Sequence, residues 1–416
     1  MCCRIFCALF LASSILPAKE DQDWASWRGP QGDGSWHGPG VMAFPETGLE
    51  QVWRTRVQPG YSGIAVAKGR VYTMDLVEKA GLKEERLLCL DSETGKILWT
   101  WSHPVDYKGL SYGKGPRSMP TVFRGRVYTL GAIGYLACHD ALTGKRIWFR
   151  NTVKEWKAVQ PTWGFSAAIR PWKEKLVVPL GLKDGGTLVA IDPANGEKVW
   201  QGGMDGAGYG WPVPIRVGQQ TQFLYWSPQN ILGLSPENGK LLWSYPYKVK
   251  YGVSIATPIY HEGIAYVAGY WNGSRALIPK PGKETPALAW KTETTLCGLM
   301  AQPLYKNGVA YLMDRHTGVN AFEFKTGKIL WQAGHHYEPA ARNPQATMVW
   351  TGNRNQVLLL NSPGELILAE FSPEGHKEIS REQIIGQTWA HPAYVGDSIF
   401  ARSDREIVRV RLPMKQ

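Results

Sequence analysis

The sequence predicts an all-β chain folded as an eight-bladed β-propeller of four-stranded antiparallel blades, and three observations carry that expectation. First, the motif Thr94-Gly95-Lys96-Ile97-Leu98-Trp99 recurs as Thr143 to Trp148, Asn195 to Trp200, Asn238 to Trp243 and Thr326 to Trp331. A degenerate copy ends at Trp290, and Trp53 marks an isolated strand near the start. Second, these tryptophans lie 46, 49, 52, 43, 47 and 41 residues apart, a period that accommodates four short strands and their turns. Third, 46 glycines and 28 prolines in 416 residues suit hairpins rather than helices.

Each unit has the same grammar. In the first, Ile64 to Ala67 is a strand, Lys68-Gly69 turns it, and Arg70 to Met74 is a second strand. Arg86 to Asp91 alternates as a third, and Ser92 to Gly95 turns into a fourth at Lys96 to Trp101. Gly95 ends that turn at a place that calls for positive φ. A lone four-stranded sheet has two apolar faces and cannot bury both, so each blade needs a neighbour. The indoles of Trp53, Trp99, Trp148, Trp200, Trp243, Trp290 and Trp331 are therefore packing residues that fill wedges between blades.

The strand pair that opens each unit recurs at Thr121 to Leu130, Ile169 to Leu180, Pro214 to Trp226, Thr257 to Ala268, Gln302 to Met313, Met348 to Leu360 and Pro392 to Ala401. The last unit stops after a third strand, Ile407 to Leu412, while Leu49 to Val57 is an orphan fourth strand. Pairing the two closes the ring and removes both free edges. Seven blades is the alternative, because the unit from Met348 to Ser380 lacks a recognisable tryptophan at the repeat position.

The chain divides into a signal peptide at 1–18, an extension at 19–48 with the Trp-Arg-Gly-Pro segment, one propeller at 49–412 and a tail at 413–416. Arg4 followed by the apolar run Ile5 to Leu16 is too short to span a bilayer, and Leu16-Pro17-Ala18 is a passable cleavage site. Export to the periplasm or extracellular space follows, with no transmembrane segment and no lipid-attachment cysteine. Cys89, Cys138 and Cys297 remain, and their spacing reads as buried thiols rather than a disulfide or metal set. Net charge is +12, yet no run of Lys and Arg forms a nucleic-acid arm. The diffuse positive field suits anionic partners and equally suits simple solubility.

The repeats, with a third strand ending near Asp and then Thr/Asn-Gly-Lys/Glu-x-hydrophobic-Trp, resemble those of the pyrroloquinoline quinone (PQQ) superfamily. That superfamily joins eight-bladed quinoprotein alcohol dehydrogenases to a non-enzymatic branch typified by the outer-membrane assembly factor BamB. The resemblance covers about Leu49 to Leu412 and implies the fold more strongly than the function. The segment Trp27 to Gly34 resembles the start of many exported proteins that carry this repeat in environmental bacteria. Two departures stand out. The dehydrogenases place a vicinal disulfide and a carboxylate-rich calcium site around PQQ, and here Cys2-Cys3 is the only adjacent cysteine pair. BamB is a lipoprotein, and this chain has no lipid-attachment cysteine. Neither PQQ nor calcium is therefore expected as a cofactor.

In a propeller the first strands line the axis. One rim holds tight turns, and the other holds the loops between blades and between second and third strands. The second rim collects the candidate ligand residues Arg117, Trp163, Trp211, Tyr251, Met300, Arg342, Asn343 and Trp389. Five histidines, His103, His316, His335, His336 and His391, fall on the same side by strand order. His391, His316, Arg342 and Tyr251 are the candidates for catalysis if there is any. The alternative for each residue is simple plugging of the axial hole. No metal site is expected: His335 and His336 are adjacent and would point to opposite faces of a strand.

Three functions compete. The leading one is a non-catalytic scaffold of the cell envelope, a monomer that binds an envelope protein or an anionic glycan. The second is a lyase or hydrolase acting on acidic glycans in the funnel. The third, disfavoured by the missing site, is a PQQ-dependent oxidoreductase.

Overall fold

The structure, a computed structural model, describes residues 23–415 except positions 39, 283, 299, 353 and 354. The expected signal peptide lies outside the described residues. Eight antiparallel sheets form a ring, and the seventh carries an additional strand. Their inner strands are Ala65–Ala67, Thr121–Phe123, Arg170–Trp172, Val213–Val217, Ile259–His261, Leu304–Lys306, Ala346–Thr351 and Ala393–Val395, which number blades 1 to 8. The unit that lacks the motif tryptophan in its outer strand is a complete blade 7, ending in Gly375–Gln383. Ser380 pairs with Leu368 beside a bulge, the register that Trp99 holds against Cys89 in blade 1. Its hydroxyl accepts the backbone N–H of Phe44, whose ring packs against the core there.

The ring closes as the orphan strand requires. Gln51–Arg56 pairs antiparallel with Glu406–Arg411 and becomes the outer strand of blade 8. Trp53 then donates its indole N–H to the Ser92 carbonyl of blade 1 at 2.8 Å. Buried Arg402 spans the same seam, donating to the carbonyls of Met74 and Gln58 and to the Thr73 hydroxyl.

The recurring glycine and tryptophan meet across blades, not within one. The ring of Trp53 covers Gly95, Trp99 covers Gly144, Trp148 covers Gly196, Trp200 covers Gly239 and Trp290 covers Gly327. A Cβ at Gly95 would lie 2.6 Å from the Trp53 ring, so this glycine is required both by its φ of +69° and by the indole. Trp243 departs from the pattern, donating to Gln222 and packing on Gly233 of its own blade. A five-residue helix, Thr152–Trp156, capped by Asn151, follows blade 2 and was not legible in the strand pattern.

The extension is built into the ring. The Trp24 carbonyl accepts from Val66 N–H in blade 1, and the Ala25 carbonyl from Val122 N–H in blade 2. Trp27 donates its indole N–H to Thr257 ahead of blade 5, and buried Arg28 donates to the Pro303 carbonyl ahead of blade 6. Gly32, at φ +73°, rests on the ring of Trp211 with no room for a Cβ. Ser35–Trp36 then adds the fifth strand to blade 7, parallel to Ala346–Thr351, and Trp36 stacks on Tyr394 of blade 8. The segment enters beside the Lys68-Gly69 turn, where Lys68 N–H meets the Asp23 carboxylate. It therefore plugs the axis on the side of the tight turns. No helix among the described residues is long and apolar enough to cross a membrane.

Candidate functional site

With the plug in place, the axial space becomes a funnel that opens on the rim of inter-blade loops. Its cavity measures about 410 Å³, within the range of small-ligand pockets. The walls are rings held in pairs. Tyr61 stacks on Trp389 at 5.8 Å, and Trp163 packs on Tyr209 at 5.8 Å. Tyr251 meets Trp271 edge-on at 5.7 Å, and Trp271 meets Tyr270 at 4.5 Å. At the floor, Trp27 of the plug lies 4.3 Å from the His391 ring. Tyr251 is 59% exposed at the mouth and sits at φ +56° in a short turn, which splays its ring outward.

Two arginines set the charge, with different tasks. Arg117 donates to the carbonyls of Gly115, Ser111 and Tyr112, holding its own loop, and lies over the Tyr61 ring. Arg342 is exposed, and its guanidinium has no hydrogen bond or ion pair among the described residues. Its backbone carbonyl and the Asn343 side-chain oxygen both accept from the Tyr270 hydroxyl. Gln302 ties the floor to Thr257, while the buried side-chain oxygen of Gln345 has no partner among the described residues.

Burial controls protonation here. It pushes His391 down to about 3, with nearby Arg28 adding to the effect, so the imidazole is neutral at neutral pH. Burial pushes the Tyr209 phenol up to about 12 and raises that of Tyr61. The cavity is thus cationic and rich in protonated donors. No described lining residue is a carboxylate, so the walls offer neutral amide and hydroxyl oxygens but none of the charged oxygen donors that dominate calcium sites. Cys89, Cys138 and Cys297 are free and buried, and none forms a disulfide lid. The residues present therefore do not fit a calcium–PQQ centre of the dehydrogenase type.

Arg117, Trp163, Tyr251, Met300, Arg342, Asn343, Trp389 and His391 all line this one cavity. Trp211 does not: it is 3% exposed, sandwiched between Gly32 and the Arg170 guanidinium 3.9 Å from its ring. It faces the plug, which strand order alone did not place. His316 also lies outside the funnel. It is exposed, and its backbone N–H, rather than its ring, bonds to Asp314 in a turn. His103 is packed among Trp101, Tyr135 and Phe149, while His335 and His336 pair with Glu338 and Glu378. Among the described residues no three metal-ligating side chains converge. Sequence reasoning missed Trp27, whose signal was a tryptophan that no repeat position explains.

The sequence model for the family described as outer membrane protein assembly factor BamB matches residues 40–222 and 227–411. The chain belongs to this family. Among curated relatives of this BamB-family chain, quinohemoprotein alcohol dehydrogenase ADH IIB of Pseudomonas putida is 27% identical over 313 residues. That match covers 70% of the chain but 39% of the dehydrogenase. A quinohemoprotein alcohol dehydrogenase of Comamonas testosteroni is 28% identical over 44% of the chain and 25% of its own length. The chain thus spans well under half of the curated relatives it matches. Among solved structures, BamB from Moraxella catarrhalis superimposes with a TM-score of 0.58 at 16% identity, covering 87% of this chain and 99% of that one. ADHIIG from Pseudomonas putida HK5 gives 0.63 at 12% identity, covering 95% and 81%. At such identities these structures speak for the fold alone.

Proposed function

We propose that this BamB-family propeller is a non-catalytic binding protein of the cell envelope, with the aromatic funnel as its recognition face. The observation that carries the reading is the chemistry of the lining. It offers ring faces and cationic donors but no acid–base pair, since its histidine is neutral and too weak a base at neutral pH and its phenols stay protonated. The partner is an envelope protein or an anionic glycan, and the protein is exported and acts as a monomer without PQQ or calcium. A lyase or hydrolase acting on acidic glycans would have to draw its base from His391, whose pKa burial lowers, or from protonated phenols such as Tyr209. A quinoprotein oxidoreductase is the second reading, favoured by the 27% identity to ADH IIB.

The test is turnover. Purified protein is incubated with acidic polysaccharides, and separately with alcohols, PQQ, calcium and a redox dye. No new chain ends and no dye reduction are expected. Turnover that disappears in His391→Ala or Arg342→Ala would overturn the reading.

A further inference from the structure

The geometry points to the end of an acidic polysaccharide chain as the funnel's ligand, stacked on Trp27 at the floor and held by Arg342 at the mouth. This rests on the reading of the propeller as a binding protein and names its ligand class.

The plug makes the funnel blind. Trp27 is anchored to Thr257 and packed on His391, and the segment on either side of it is tied to blades 1, 2, 6 and 7. A polymer cannot thread the ring, so it enters by a terminus. The ring pairs on the walls suit a pyranose, whose two faces are C–H bonds and whose rim is hydroxyls. The faces pack on the electron-rich sides of aromatic rings. The hydroxyls need polar atoms between those rings, and two are set there. Gln345 lines the cavity, and its side-chain oxygen, shut from solvent, lacks a donor among the described residues, a costly state that a turn of the side chain onto a ligand hydroxyl would relieve. Asn343 has its oxygen engaged by Tyr270, which leaves its N–H group to donate. A purely apolar ligand would satisfy neither group.

Charge selects an acidic sugar. Arg117 and Arg342 line the cavity and no carboxylate is among its described lining residues; buried Glu85 acts on Arg117 from behind the wall, whereas none acts on Arg342 among the described residues. Arg117 spends its terminal N–H groups on three carbonyls, whereas Arg342, with no partner among the described residues, can offer a two-pronged grip to a carboxylate.

Calorimetry tests this with a galacturonic acid trimer, the same trimer with its carboxyl groups reduced to alcohols, and chains roughly ten times longer. The acidic trimer should bind. Carboxyl reduction and Arg342→Ala should each weaken binding by roughly ten- to a hundred-fold. Arg342→Ala removes no internal bond, so it keeps the fold, and it should leave the reduced trimer's affinity unchanged. Long and short chains should take up the same number of protein molecules per chain. Lys96→Ala, on the opposite rim, should change nothing. Equal affinity for the acidic and reduced trimers would overturn the proposal, as would stoichiometry that grows with chain length. Absence of binding would also overturn it and leave the scaffold reading with a protein partner. Cleavage of the trimer would instead overturn the binding-only reading and leave the ligand class standing.

Discussion

Trp27 and His391 stand at opposite ends of the chain, and their rings meet 4.3 Å apart at the floor of the funnel. The contact joins the plug to blade 8 and turns an open axial channel into a closed-ended cavity. It also explains the state of the histidine. Walled by an indole and near the buried Arg28, the imidazole is held neutral. Cavity floor and ring architecture are thus built from the same residues.

The blade interlock can be measured at a single glycine. Gly95→Ala meets both a positive φ and the Trp53 ring, whereas Gly125→Ala meets a φ of +73° with nothing within 4 Å. Backbone strain alone should cost about 1 kcal/mol at Gly125, and steric overlap should add about 1–3 kcal/mol at Gly95. Urea unfolding of the two variants gives the comparison. Equal losses would mean that the indole is not a rigid neighbour.

The plug should be structural as well as functional. Arg28→Ala leaves the carbonyls of Asp33 and Pro303 without their guanidinium donor. A loss of about 3 kcal/mol is expected, along with faster proteolysis within residues 23–41. Unchanged stability and unchanged cleavage would show that the segment is held without Arg28.

Acid should destabilise the seam between blades 1 and 2. His103 and His139 are buried and pushed down to about 4, far below an exposed imidazole. Their contribution is therefore present above about pH 6.5 and is lost as pH falls towards 4, because the unfolded chain takes up protons that the folded chain refuses. Glu85 works in the opposite sense, since burial raises its carboxyl. His139, whose ring packs on Trp101 and has no hydrogen-bond partner among the described residues, is the cleaner probe. His139→Phe should lose less melting temperature between pH 6.5 and 4 than the parent. Parallel curves would contradict the assignment.

PQQ with calcium should not bind with submicromolar affinity, because the lining supplies rings and arginines but no carboxylate donors. Titration by absorbance and calorimetry checks this. Tight, calcium-dependent binding would restore the oxidoreductase reading.

The ring was legible in the sequence because its motif records a contact made over and over. Trp53 and Gly95 are a pair, so both recur with the period of the blades. The closure was legible because a free edge at each end has one economical solution. The plug was not, since the contacts of Trp24 to Val41 with several blades follow no repeating period. Trp211 was misassigned for the same reason: strand order placed it on the rim, but Gly32 and Arg170 cover its faces. Blade 7 was ambiguous because Ser380 and Phe44 fill a wedge that elsewhere holds an indole.

The most direct test of the funnel as the recognition face is amide hydrogen exchange with and without a saturating acidic oligosaccharide. Protection is expected in the loops 111–117, 250–255 and 342–345 and around Trp389, the segments whose side chains line the cavity. The hairpin tips at Lys68-Gly69 and Asn307-Gly308 should exchange unchanged. Protection at those tips, with the funnel loops unaffected, would contradict the account.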